Sequence, residues 1–351
     1  MATRNLGQFV TALELSRHIH EGALVPLIQS LSKEIQMFGD ANMEVANDGS
    51  GHIGTTENSQ PTGNYYGYNE GIATEASTSA EFREPLIMLG SRFQAHKKLL
   101  IKQARGDMQL AGAIRARMIG QSMAGMLKNH MTQILYGSRL TGKSPLGIFT
   151  RTDSNNLASA FVHDNARGNA SATANKTSAL LIGWGPLKYT WIFPEGEAPA
   201  SGNIAQPGSP LTGVGITVEA LPDDWVEDVD ADSTKKFMAV RNELGLDTSH
   251  AIMDARYVQR QCNISTSNID GDDDISFDES ILIEMLHAMP DRENAILYVN
   301  KTLGAQIDNR ANIKGNVFHM KDDPFGNYVP HVREVPIHIN EQIVDTEATV
   351  T

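Results

Sequence analysis

An α+β fold is what this sequence predicts, on three observations. A single apolar stripe runs through about thirty residues, long for a helix of a globular domain. A stretch of about forty residues carries no apolar pattern of its own. The second half mixes strand and helix patterns without regular β–α alternation. Length and composition bound the reading: 351 residues, 40% hydrophobic and 20% charged, describe a globular chain with a sizeable core. The net charge of −13 argues against tight, sequence-independent nucleic-acid binding. No apolar run reaches membrane-spanning length, and the N-terminus lacks the apolar block of a secretory signal. Cys262 is the only cysteine, which excludes an internal disulfide and suits a reducing compartment.

Residues 9–38 read as helical, broken near Gly22 and Pro26. From about Asp40 to Ser79, Gly, Ser, Thr, Asn and Tyr take over, and Tyr65, Tyr66 and Tyr68 suit a two-stranded β-arm. From Arg105 to Tyr136 the apolar positions Leu110, Ile114, Met118, Ile119, Met123, Met126, Leu127, Met131, Ile134 and Leu135 form one helical stripe. Arg105, Arg115, Arg117 and Lys128 accompany it against Asp107 alone. They are expected either to face polyanions or to pair with acidic neighbours. Gly137 stands just past the helix end, where a left-handed cap is common. A polar connection comes next, then strand patterns in ALLIGWG, KYTWIFP, VGITVEAL and the run from Phe237 to Ser265. SILIEMLHAM reads as a helix, AILYVN as a strand, KTLGAQIDNRA as a helix, and VREVPIHI and QIVDTEATV as closing strands.

Three features invite a chemical reading. GSRLTGKS, Gly137 to Ser144, fits the phosphate-loop pattern letter for letter. Such a loop needs a strand before it and a helix after it, whereas here a helix precedes and Pro145 turns Ser144 away from helical geometry. A nucleotide-binding enzyme is therefore the alternative reading, and the match is taken as coincidence. The run from Asp270 to Asp274 resembles a calcium loop, but its sixth position is Ile275 rather than glycine. It is read as a solvated acidic loop whose Asp278 and Glu279 start the next helix. The histidines, among them His18, His20, His331 and His338, form no metal-ligand spacing, and Cys262 lacks an activating signature. No catalytic, cofactor-binding or metal residues are assigned, and no cofactor is expected.

Several blocks, in order along the chain, carry a resemblance. VPLIQSLSKEIQMFGDANMEVAN, SALLIGWGPLKYTWIFPEG, LGLDTSHAIMDARYVQRQCNIS, ENAILYVNKTLGAQIDNRA and EVPIHINEQIVDTEATV resemble the corresponding segments of tailed-bacteriophage major capsid proteins. The likeness spans essentially the whole chain. It departs at His338, Asn340 and Glu341, where relatives carry basic residues. The resemblance implies the Hong Kong 97-type fold: an N-terminal arm at 1–39, an extended E-loop at 40–80, a peripheral domain at 81–220 with its spine helix at 105–136, and a mostly axial domain at 221–351. It also implies a structural, non-enzymatic protein that self-assembles as pentamers and hexamers into an icosahedral shell around phage DNA, formed in the host cytoplasm. Scaffold, portal and cement proteins are the further partners it implies, with at most weak, non-specific contact to packaged DNA and no membrane. With no long helical prefix, scaffolding is expected from another chain. Some shells of this fold crosslink an E-loop lysine to a neighbour's asparagine. Here no lysine lies between Lys33 and Lys97, so the shell is expected to hold together without covalent links.

Overall fold

The computed structural model describes residues 19–20, 23–24, 36–139, 143–168, 175–194, 216–227, 236–267, 275–313, 318–322, 328–332 and 335–351. The N-terminal stretch departs from its helical reading. Ile19–His20 (β1) and Ala23–Leu24 (β2) pair antiparallel, and only Gln36–Asp40 (α1) is helical among the described residues there. The rest of 9–35 lies outside the described residues.

β3 (Met43–Val45) leads to the expected two-stranded arm, built from β4 (Gly51–Ser59) and β5 (Thr78–Pro85). β6 (Met88–His96) comes after it, then a short helix, α2 (Lys97–Gln103), that no sequence pattern separates from its surroundings. The long helix, α3, spans Met108–Tyr136 rather than beginning at Arg105. Asp107 sets the start: its carboxylate accepts hydrogen bonds from Gln109 N at 2.8 Å and Leu110 N at 3.4 Å. Arg105 and Gly106 both have left-handed backbone, with φ of 53° and 85°, and break the chain direction before it. At 1.5 Å per residue α3 is about 43 Å long.

The central sheet has seven strands in the order β15-β16-β17-β14-β8-β13-β7. These are Phe318–Asp322, Tyr328–Val332, Val335–Ile339, Ala295–Val299, Lys176–Gly183, Val258–Ser265 and Val162–Asp164. β8 shows why this sheet sits in the middle. Its side chains alternate faces, and every one of its residues is buried. Leu180 and Ile182 pack with Met37 and Phe38 of α1 and Leu127, Met131 and Ile134 of α3. Ala179 and Leu181 pack with Leu282, Met285 and Leu286 of α4 (Glu279–Ala288) and with Leu303 and Ile307 of α5 (Lys301–Ile313). The sheet is thus covered on both faces.

Two three-stranded sheets complete the body: β10-β11-β6 and β12-β9-β3. β10 (Ile216–Glu227) and β11 (Lys236–Asp247) are long partners, while β9 (Tyr189–Phe193) and β12 (Ser249–Ile252) are short and buried. α2 and the first half of α3 pack Leu100, Ala104, Ala111, Ile114 and Met118 against Phe93 of β6 and Val240 of β11. Residues 39, 80 and 220, the borders expected from the sequence, fall inside α1, β5 and β10. The last segment corrects another expectation. QIVDTEATV is no strand; from Glu341 on it runs without ladder pairing and is held chiefly by side chains.

His130 of α3 is fully enclosed, its Nε2 2.9 Å from Thr248 Oγ1 and its ring edge-on to Trp191. Burial lowers its pKa from 6.5 to about 4. The unfolded chain therefore takes up this proton first, so stability is lost as pH falls from about 6.5 to 4, by up to about 3 kcal/mol. His250, lowered by its own burial and by Arg151, adds to the same trend. Urea midpoints at pH 7 and pH 4.5 should differ less in His130→Gln than in the parent. An equal drop in both would remove His130 as the cause.

Candidate assembly site

The feature most unlike a packed domain is the arm. Its loop, 60–77, is exposed throughout, and Tyr65, Tyr66, Tyr68 and Ile72 have relative exposures of 109%, 61%, 103% and 65%. Large apolar side chains at such exposure, with no core beneath them, mark a contact surface. β4 and β5 carry the loop roughly 30 Å away from the root, at 3.3–3.4 Å per residue.

The root is anchored by polar side chains. Asn47 uses both ends of its amide on Ile53, donating to the carbonyl and accepting from the N–H at 2.7 Å each. Arg83 pairs with Asp48 and donates to Ser50 Oγ at 2.5 Å. The Ser50 hydroxyl first, and the Arg83 guanidinium after it, hold the Asp48 carboxyl below its ordinary pKa. Deeper in, Glu84 Oε1 accepts from Arg151 Nη1 at 2.6 Å, with both side chains largely buried. Arg151 Nη2 lies 3.2 Å from His250 Nε2, and burial keeps that imidazole neutral. A cavity of about 230 Å³ lies beside this pair, walled by Phe82, Phe161 and Met253. The root is rigid and the tip is bare.

The residues singled out for chemistry are scattered. Gly137 and Lys143 flank the end of α3, and residues 140–142 of the phosphate-loop match lie outside the described residues. Gly137 is not left-handed as expected; its φ and ψ are −60° and 133°. It must be glycine because a Cβ there would lie 2.3 Å from Pro145 O and 2.5 Å from Gln133 O. The chain folds back at once: Gly147 N donates to Gly137 O at 2.6 Å, and Ser138 bridges Leu146. A 3-10 turn, Ile148–Thr150, succeeds this reversal, so the order is helix then turn, the reverse of a phosphate loop. The acidic run Asp270 to Asp274 lies outside the described residues, although Asp278 caps α4 as expected, accepting from Ser280 N at 2.9 Å. Burial pushes the Cys262 thiol up to about 12, so it is no nucleophile at neutral pH. His20 sits in β1 and His331 in β16, while His18 lies outside the described residues. His338 Nδ1 is 2.6 Å from Asp40 Oδ2, which also accepts from Tyr298 Oη at 2.9 Å, tying β17 to the end of α1. Among the described residues no group of three or more His, Cys, Asp or Glu is placed to hold a metal, and no helix is long and apolar enough to cross a membrane.

Sequence comparison matches residues 20–351 to the family described as major capsid protein GP7. The chain belongs to this family. Among solved structures this capsid subunit is similar to a chain of the bacteriophage epsilon15 structure, at 18% identity and a TM-score of 0.66, over 99% of this chain and 100% of that one. It is also similar to the capsid of bacteriophage JBD30, at 9% identity and a TM-score of 0.47, over 92% and 93%. No match was found among curated proteins. The architecture is the Hong Kong 97-type α+β fold, and the role is that of a structural protein of the virion capsid. Sequence reasoning missed the Glu84–Arg151–His250 anchor and the Asp40–His338 contact. Their members are 67 to 298 residues apart in the chain, and no local spacing links them.

Proposed function

We propose that copies of this chain assemble as pentamers and hexamers into an icosahedral shell around phage DNA in the host cytoplasm, each subunit laying its arm across a neighbour. The exposed loop 60–77 on a rigidly anchored hairpin carries this reading. Fixing those residues costs about 1 kcal/mol or more each, and the loop's own exposed hydrogen bonds, from Gly63 N and Asn64 Nδ2 to Glu75 and from Gly67 N to Glu70, repay little of it. A neighbour's surface repays the rest. On the same reading α3 with the β6–β10–β11 sheet forms the peripheral part. The seven-stranded sheet with α4 and α5 forms most of the axial part. On this reading scaffold, portal and cement proteins are further partners.

The shell is held by buried area of the obligate class, on the order of 2,000 Å² or more per interface, rather than by covalent links. The arm supports this, since between Lys33 and Lys97 it offers no lysine amine, and Arg83 carries a guanidinium rather than an amine nucleophile. The purified chain should form closed shells under the electron microscope and, boiled in detergent and reductant, run as one band near 38.3 kDa. A protease should cut within 60–77 in free subunits and spare those residues in shells. Equal cutting in both states would defeat the arm-over-neighbour reading, and a ladder of pentamers and hexamers after boiling would defeat the non-covalent one.

A further inference from the structure

We propose that Lys98, Lys102 and Arg105, at the exposed edge of α2, form a weak, sequence-independent contact for the phosphates of duplex DNA. The proposal rests on the shell reading above, which supplies the polyanion. The chain is acidic overall, yet residues 86–106 contain no Asp or Glu. Leu100 and Ala104 are buried against β6 and β11, and this orients the helix so that Lys98 and Lys102 stand toward solvent. Four residues apart on a helix, they share a face about 6 Å along the axis. Two nearby carboxylates are engaged elsewhere: Asp107 caps α3, and Glu243 of β11 takes Arg92 at 2.7 Å. Lys98, Lys102 and Arg105 make no ion pair among the described residues.

Three local choices here run against stability. Lys98 lies in the first turn of α2, where the helix dipole disfavours a cation and no acidic residue offsets it. Lys98 and Lys102 are like charges at i and i+4, a repulsive spacing. Arg105 occupies the left-handed position that ends the helix, where glycine is the unstrained residue. Its φ is 53°, its N–H donates to Lys102 O at 3.1 Å, and Gly106 N donates to Ile101 O at 3.0 Å, the double closure of a Schellman motif. A dipole argument alone accounts for Lys102 and Arg105 near the helix end, but not for Lys98 or for an arginine at that φ. Strain and repulsion retained together to present three cations point to a ligand of opposite charge.

The test is duplex DNA binding by the full-length subunit, titrated at salt concentrations from about 50 to about 200 mM in the parent, Arg105→Gly, and the triple variant Lys98→Gln/Lys102→Gln/Arg105→Gly. Removing one phosphate contact should flatten the plot of log affinity against log salt by about 0.9, so the triple variant should lose roughly two to three from the slope. Arg105→Gly alone should lose about one while its Tm rises by about 2 °C, since glycine relieves the left-handed strain. An unchanged slope in both variants overturns the site. So does polyglutamate binding the parent more tightly than DNA and failing to bind the same variants, which would assign the surface to an acidic protein. Electron microscopy keeps the two readings apart. Closed shells with an unchanged slope reject this site and leave the shell reading standing, whereas a parent chain that forms no shells rejects the latter.

Discussion

Arg260→Met or Glu347→Gln should cost the subunit about 3–5 kcal/mol and abolish particle formation, because each leaves an unpaired charge or a broken network in the interior. The two side chains are 3% and 4% exposed and meet at 2.8 Å. Around them the hydrogen bonds are nearly complete. Arg260 Nη1 donates to Ser154 O at 2.8 Å, its Nε to Ser178 Oγ at 3.0 Å, and its guanidinium lies 4.3 Å from the Phe149 ring centroid. Glu347 accepts from Ser178 Oγ at 2.5 Å and from Tyr136 Oη at 2.6 Å. Burial first, then the Glu347 charge, raises the Tyr136 phenol far above its ordinary pKa, so it stays a donor. One carboxylate thereby joins the end of α3, β8, β13 and the strandless C-terminal segment, whose Lys176–Thr349 and Asn263–Val350 contacts close the same seam. Replacing both partners by apolar residues should recover only part of the loss, because the carbonyl of Ser154 is then left without its donor. Urea unfolding of the free subunit measures this; a loss below about 1 kcal/mol for both single variants would show that the network is not fully desolvated.

Gly137→Val should be the next most damaging change, costing about 3 kcal/mol or more, while Lys143→Ala should stay within about 0.5 kcal/mol. The valine Cβ meets backbone oxygens of Pro145 and Gln133 well inside contact distance, and neither can swing aside as a side-chain end would. Gly147 has the same constraint from the other side, since its own Cβ would lie 2.4 Å from Gly137 N. Lys143 is exposed. Thermal unfolding and particle yield of the two variants decide the matter. A tolerated valine together with a critical lysine would mean that Lys143 serves a ligand, and would return the GSRLTGKS match to a phosphate-binding role.

Local pattern was enough for the elements whose signal lies within a few turns of chain. The stripe from Leu110 to Leu135 marked α3, and SILIEMLHAM, AILYVN and KTLGAQIDNRA marked α4, β14 and α5, because periodicity depends on neighbours three or four residues away. The coreless Gly/Ser/Tyr stretch likewise marked the arm, since burial needs apolar residues that it does not have. The helix α2, by contrast, is too short for its periodicity to stand out. The start of α3 at Met108 rather than Arg105 is also a local matter, since the Asp107 carboxylate caps N–H groups only two and three residues on, a signal that apolar spacing does not register. Tertiary structure alone decided the rest. Gly137 proved necessary through the returning Pro145 backbone rather than through its own dihedral angles. QIVDTEATV, strand-like in its alternation, became a strap because Glu347 found Arg260 and Ser178, 87 and 169 residues away. Such pairings depend on which surfaces the packed sheet brings together, and that is a property of the three-dimensional core, which no short window of sequence contains.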